Sequence, residues 1–204
     1  MCREVCSSIV SVQRGALVGT NKNPVQVNEV RFAGQRKFNR GRFLVGDYPA
    51  LSEDSDTEID NARNHGQRID GPWVFGLLNS EELQYFVVER RNHNTSIPIV
   101  QREEQHGSTI HSDEWPAYAN LANLGYTDLT VNHQHNYVDP ESGAHTRGIE
   151  RSWLEEKMKI MRSRRSVPRQ HLQSHLDYFA WKYIRKNEKD LFVSFLRDIR
   201  TVYM

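Results

Sequence analysis

The stretch Ser108-Thr109-Ile110-His111-Ser112-Asp113-Glu114-Trp115 constrains this chain more than any other: a short apolar run ends on an acid and turns at once toward a helix. Such a segment reads as a strand feeding a helix, with Asp113 at the strand end. A second acid, Glu150, lies thirty-seven positions further on, in His145-Thr146-Arg147-Gly148-Ile149-Glu150-Arg151-Ser152-Trp153, which reads as the first turn of a longer helix. The earliest strand pattern, Val25-Gln26-Val27-Asn28-Glu29-Val30-Arg31-Phe32, carries an amide, Asn28, where a third acid is expected.

The remaining elements follow from periodicity and punctuation. Residues 1–12 place Cys2, Val5, Cys6, Ile9 and Val10 on one helical face before Gly15, Gly19 and Pro24 break the pattern. A strand covers 25–34, and another is expected at Arg42-Phe43-Leu44-Val45 beyond the basic turn 35–41. Residues 47–70 are polar and acidic (Glu53, Asp54, Asp56, Glu58, Asp60), and within them 50–68 is expected to be a flexible insertion. Gly71–Leu78 and Leu83–Val88, joined through Asn79-Ser80, predict a hairpin. A short helix or loop through Ile97, Ile99 and Val100 leads to the strand at Thr109–Ser112. A helix is predicted for Trp115–Leu124, closed by Gly125, and a strand for Asp128–Asn132. Thr146 can cap the Glu150 helix, and helices are predicted for Pro168–Lys186 and Lys189–Tyr203. Strands first, then alternating strands and helices, make an α/β fold with a mixed sheet.

Composition narrows the class. A chain of 204 residues suits one domain with a helical appendage, and 37% apolar residues can build its core. Two cysteines, Cys2 and Cys6, cannot form a four-ligand zinc site by themselves and suit a reduced, intracellular setting. Neither a signal peptide nor a membrane span is expected, because no long apolar run exists. The net charge of +1 hides segregation: residues 147–165 carry seven Lys/Arg against three Glu. Local charge of that kind sets affinity for a polyanion.

Each candidate site residue has a plain structural reading beside the chemical one. Asp113 suits a helix-start acid, and Glu150 suits a first helical turn, where acids are favoured. Together, a strand-end carboxylate and a helix carboxylate suit a site in which two divalent ions about 4 Å apart clamp attacking and leaving oxygens. Glu150, Trp153 and Lys157 share one helical face, which would bury Trp153 and aim Glu150 and Lys157 into one cleft. Asn28 offers one neutral oxygen where a bridging carboxylate offers two charged ones, and Glu29 points to the opposite face of the strand. His111, His133, His135 and His145, with Asp113, leave a zinc site open as a further reading. No Walker-type loop or dinucleotide fingerprint is present, so no small-molecule substrate is expected.

The order of several motifs is distinctive. Val27-Asn28-Glu29, Arg36-Lys37-Phe38-Asn39-Arg40-Gly41-Arg42, Gly71-Pro72-Trp73-Val74-Phe75-Gly76 and Gly107–Trp115 precede Val131-Asn132-His133, Tyr137–Thr146 and Ile149-Glu150-Arg151-Ser152-Trp153. The chain over residues 25–185 resembles the transposase domain of the Merlin superfamily of DNA transposons and its bacterial insertion-sequence relatives. The resemblance implies a ribonuclease H-like mixed five-stranded sheet flanked by helices, followed by C-terminal helices. It implies an Asp-Asp-Glu triad and a following Lys, which fall here on Asn28, Asp113, Glu150 and Lys157. It also implies Mg²⁺ (or Mn²⁺) chemistry and cut-and-paste DNA transposition.

The expected organisation is a remnant N-terminal helical region over 1–24, a catalytic domain over 25–165, and C-terminal helices over 166–204. The leading expectation is a transposase domain with impaired cleavage, holding metal weakly through Asp113 and Glu150. The alternative is a non-enzymatic DNA-binding protein derived from one. In either case DNA, as transposon ends, is the expected partner, contacted by Arg36, Lys37, Arg40, Arg42, Lys157, Arg162, Arg164 and Arg165. The terminal helices read as core packing, with a homo-oligomer surface left open. No membrane partner is expected, and a eukaryotic host would place the protein in the nucleus.

Overall fold

The computed structural model describes residues 2–14, 19–32, 71–132, 137–164 and 167–204. The expected strand at 42–45, the basic turn with Arg36, Lys37, Arg40 and Arg42, the 50–68 insertion, His133, His135 and Arg165 lie outside the described residues.

Five strands form one sheet: β1 (Val25–Arg31), β2 (Trp73–Leu78), β3 (Leu83–Val88), β4 (Thr109–Asp113) and β5 (Thr127–Val131). Their order is β3-β2-β1-β4-β5. β2 runs antiparallel to β1 and β3, while β1, β4 and β5 run parallel. A mixed sheet in this order, flanked by helices, is the ribonuclease H-like fold that the resemblance implied. The predicted hairpin pairs in full register, from Trp73 opposite Val88 to Leu78 opposite Leu83.

Helices cover both faces. On one, Val25, Val27, Phe75, Leu77 and Ile110 meet Ile97 and Val100 of α2 (His93–Glu103), with Tyr118 and Leu121 from the segment after β4. On the other, Val74, Leu78 and Tyr85 meet Ile149 and Trp153 of α3 (Arg147–Arg164), together with Leu172 and Leu176 of α4 (Arg169–Ile184). Cover on both sides explains why β2 and β3 are apolar almost throughout. A third cluster joins Cys6 and Val10 of α1 (Cys2–Gln13) to Ala180 and Trp181 of α4, with Phe195 of α5 (Leu191–Tyr203) against it. Ser7 also donates to Asp177 of α4 at 2.7 Å.

One predicted element differs. The helix expected over Trp115–Leu124 is two 3₁₀ turns, Pro116–Tyr118 and Ala122–Leu124. Trp115 is extended (φ −65°, ψ 128°), as a residue before proline tends to be, so it stands outside the first turn. Gly125 closes the segment at φ 87°, a left-handed position that favours glycine. None of the helices among the described residues is long and apolar enough to cross a membrane.

Candidate active site

The order of the strands reverses between β1 and β4, and in open α/β sheets ligands gather beyond the carboxyl ends of strands at such a point. Val25 pairs with Ile110 and Gln26 with His111. Two residues further along both parallel strands stand Asn28 and Asp113, on the face that Gln26 and His111 share. Asp113 ends β4.

The start of α3 lies directly over that face. Gln26 Oε1 accepts from the Ile149 amide at 3.1 Å, and Gln26 Nε2 lies 3.4 Å from His145 Nδ1. The His145 amide donates to His111 Nδ1 at 3.2 Å. Burial lowers the His111 pKa, with the backbone contact to His145 opposing. Gly148 can sit there because it has no side chain: an added Cβ would come within 2.7 Å of Gln26 Oε1. Gly76, the partner of Asn28 across β2, lies equally close under Trp153 and Ile149. Sequence spacing thus puts Glu150, in the first turn of α3, above the strand that carries Asn28. Thr146 Oγ1 donates to Glu150 Oε1 at 2.9 Å and fixes its carboxylate. Trp153 is buried as expected, its ring tilted at 35° to that of Tyr85 with centroids 4.5 Å apart. Lys157 is half-buried, with its ammonium 5.8 Å from the centroid of Phe32, just beyond β1.

Asp113 has the plain structural role as well as the placement, since its Oδ1 accepts from the Trp115 amide at 3.2 Å. Its Oδ2 lies 3.5 Å from Arg91 Nη2. Two residues that sequence reading did not assign to the site therefore belong beside it: Arg91, and Glu29, whose Oε2 is 3.7 Å from Arg91 Nε. Glu29 lies on the opposite face from Asn28, among Ser96 and Tyr118, whose hydroxyls donate at 3.0 and 2.5 Å. Burial lifts the Glu29 carboxyl to about 7; the Tyr118 hydrogen bond opposes this, the Asp113 charge adds to it, and Arg91 and Ser96 oppose it. Asp128 on β5 is also raised, mainly by burial, with Ser112 opposing and Asp113 adding. The signal for Glu29 was present in the sequence: it continues the Val25, Val27 alternation into the core.

Among the described residues no group of three or more His, Cys, Asp or Glu side chains is arranged to hold a metal ion. The sequence-derived candidate ligands stand on three elements: Asn28 on β1, Asp113 at the end of β4 and Glu150 in the first turn of α3. His111 and His145 stack edge-on with ring centroids 5.7 Å apart. On the outer side of α3, Arg147, Arg151, Lys159 and Arg162 are exposed. Glu155 pairs with Arg151 at 3.4 Å and Lys159 at 3.9 Å, which offsets part of that charge.

The strand order and the α3 placement define a ribonuclease H-like domain of the kind that carries Asp-Asp-Glu chemistry. The chain belongs to the ISXO2-like transposase domain family, which matches residues 49–183. The matched segment includes Asp113, Glu150 and Lys157 and begins after Asn28. No curated protein matches the chain. Among solved structures it is similar to the catalytic core domain of BIV integrase (15% identity, 66% of this chain and 91% of that one, TM-score 0.37). It is also similar to the Mos1 mariner paired end complex with Mn (12% identity, 93% of this chain and 62% of that one, TM-score 0.34). A pre-cleavage Mos1 transpososome matches at 11% identity over 98% of this chain and 61% of that one, with a TM-score of 0.30. All three TM-scores fall below 0.5, so the family match and the strand order carry the assignment.

Proposed function

We propose that this is the catalytic domain of a Merlin-type cut-and-paste transposase whose strand cleavage is impaired by Asn28. The observation that supports the reading is the parallel pairing of Val25 with Ile110 and Gln26 with His111, which leaves Asn28 and Asp113 each two residues further along, so that the β1 member of the proposed pair is an amide and not a carboxylate. Asp113 and Glu150 are the proposed metal ligands and Lys157 a phosphate contact. Two carboxylates fit one weakly held Mg²⁺ or Mn²⁺; a second ion lacks the bridging charge it needs. Such an ion, when bound, polarises a phosphoryl oxygen. The chain's own groups do the positioning: Thr146 orients Glu150, and the Trp115 amide orients Asp113.

DNA is the proposed partner, held through its phosphates by the exposed cations of α3, Arg162 among them, and by the sequence-derived contacts Arg164, Arg165, Arg36, Lys37, Arg40 and Arg42. Asn28 and the guanidinium beside Asp113 also favour the alternative, a protein that keeps DNA binding and has dropped cleavage. Metal-dependent nicking of duplex DNA separates the two. The unmodified chain should nick poorly or not at all, and Asn28→Asp should recover nicking if the rest of the cleft is competent. A revertant that binds DNA but never cuts would favour the binding protein. Efficient Mg²⁺-dependent nicking by the unmodified chain would overturn the impaired-enzyme reading.

A further inference from the structure

Arg91 stands at the junction of two carboxylates on opposite faces of the sheet. Its Nη2 is 3.5 Å from Asp113 Oδ2, and its Nε is 3.7 Å from Glu29 Oε2. The guanidinium lies 4.4 Å from the Trp115 ring centroid and 5.6 Å from that of Trp73. The next residue caps α2: Asn92 Oδ1 accepts from the Thr95 amide at 3.0 Å and the Thr95 hydroxyl at 2.7 Å. Glu29 is equally fixed, by Ser96 and Tyr118. A cleft of about 400 Å³, with Arg91, His93, Trp115 and Asn120 among its walls, opens beside the pair.

We infer that Arg91 is a built-in counter-ion to Asp113 that a divalent cation must displace, so that Arg91 sets the metal affinity of the site. The inference rests on the reading of Asp113 as a metal ligand. A guanidinium and a dication cannot both lie against one carboxylate oxygen without strong repulsion, because like charges at such separations in a low-dielectric site interact strongly. The Asp113 contact at 3.5 Å is longer than a charge-assisted hydrogen bond, which runs to about 2.7–2.9 Å, so the pair is held by charge and a dication competes for the same oxygen. Glu29, Trp115 and Trp73 retain the guanidinium after it leaves Asp113, and the adjacent cleft gives it room to turn. Arg91 is a positioning residue in this account: it acts on the metal through Asp113.

The test is Mn²⁺ binding to the full chain, read as loss of the free-ion signal in electron paramagnetic resonance. Arg91→Gln should bind Mn²⁺ several-fold more tightly than the unmodified chain, and Asp113→Asn in the same background should remove the gain. Equal or weaker binding by Arg91→Gln, with binding still dependent on Asp113, overturns the counter-ion role and leaves the metal site standing. Binding that does not depend on Asp113 in either protein overturns both. Because Arg91→Gln leaves Glu29 without its cation and can fail to fold, a second measurement uses the unmodified chain. The Arg91 Nε resonance should shift as Mg²⁺ saturates the site, with the same half-point as Mg²⁺ binding. A resonance that stays fixed while Mg²⁺ binds at Asp113 overturns the proposal.

Discussion

Single residues in this chain are most informative where polarity and position disagree. Glu29, Glu104 and Glu156 are carboxyls that burial lifts from 4.5 to about 7, about 8 and about 8 respectively. Both Glu104 oxygens are buried without a hydrogen-bond partner among the described residues. Unfolded, these groups titrate near 4.5, so between that value and about 8 the folded protein holds protons that the unfolded chain has released. The stability they allow is complete below the unfolded value and declines as pH rises through the window. Melting temperature should therefore fall between about pH 5.5 and about pH 8, and Glu104→Gln should flatten the decline. A melting temperature that climbs over that range in the unmodified chain contradicts the burial account. Asp113 and Glu150 were legible as acids at a strand end and in a first helical turn. Arg91 was not, because it lies in no motif and gains its meaning only when Glu29 and Asp113 come together in space.

Elements were legible where a period was strong. The hairpin, the five strands of the sheet and the helices after residue 146 follow from alternation, helical spacing and turn residues. The segment after Asp113 was misread because its apolar spacing resembles a helix, while the chain makes two separate 3₁₀ turns with Trp115 extended before Pro116. The fit of α3 on the sheet depends on Gly76, which no periodicity singled out: an added Cβ would lie 2.4 Å from Trp153 Cζ2 and 2.9 Å from Ile149 Cδ1. Gly76→Ala should cost about 1–3 kcal/mol by overpacking, read from urea denaturation. Trp153→Ala, which empties the same contact and the ring contact with Tyr85, should cost about 3–5 kcal/mol. An unchanged denaturation midpoint for Gly76→Ala would show that α3 is not seated by this contact. Since Glu150 rides on α3, the same substitution should lower cleavage by the Asn28→Asp protein beyond its effect on stability.

For the whole molecule, net charge is nearly silent at +1, while the outer side of α3 carries exposed cations that Glu155 only partly offsets. If DNA is held there, replacing Arg162, Arg164 and Arg165 with Ala should weaken binding to all sequences and flatten its dependence on salt, as lost phosphate contacts release fewer counter-ions. An unchanged salt slope would move the contact surface elsewhere. Family membership and sheet order define the class of chemistry; the proposal that the amide at residue 28 limits it is what remains to be measured. The most direct test is the number of Mn²⁺ ions held per chain, measured at saturation before and after Asn28→Asp. One weakly held ion, lost on Asp113→Ala or Glu150→Ala and joined by a second in Asn28→Asp, is the expected result. Two ions held tightly by the unmodified chain would contradict the claim that Asn28 limits the site.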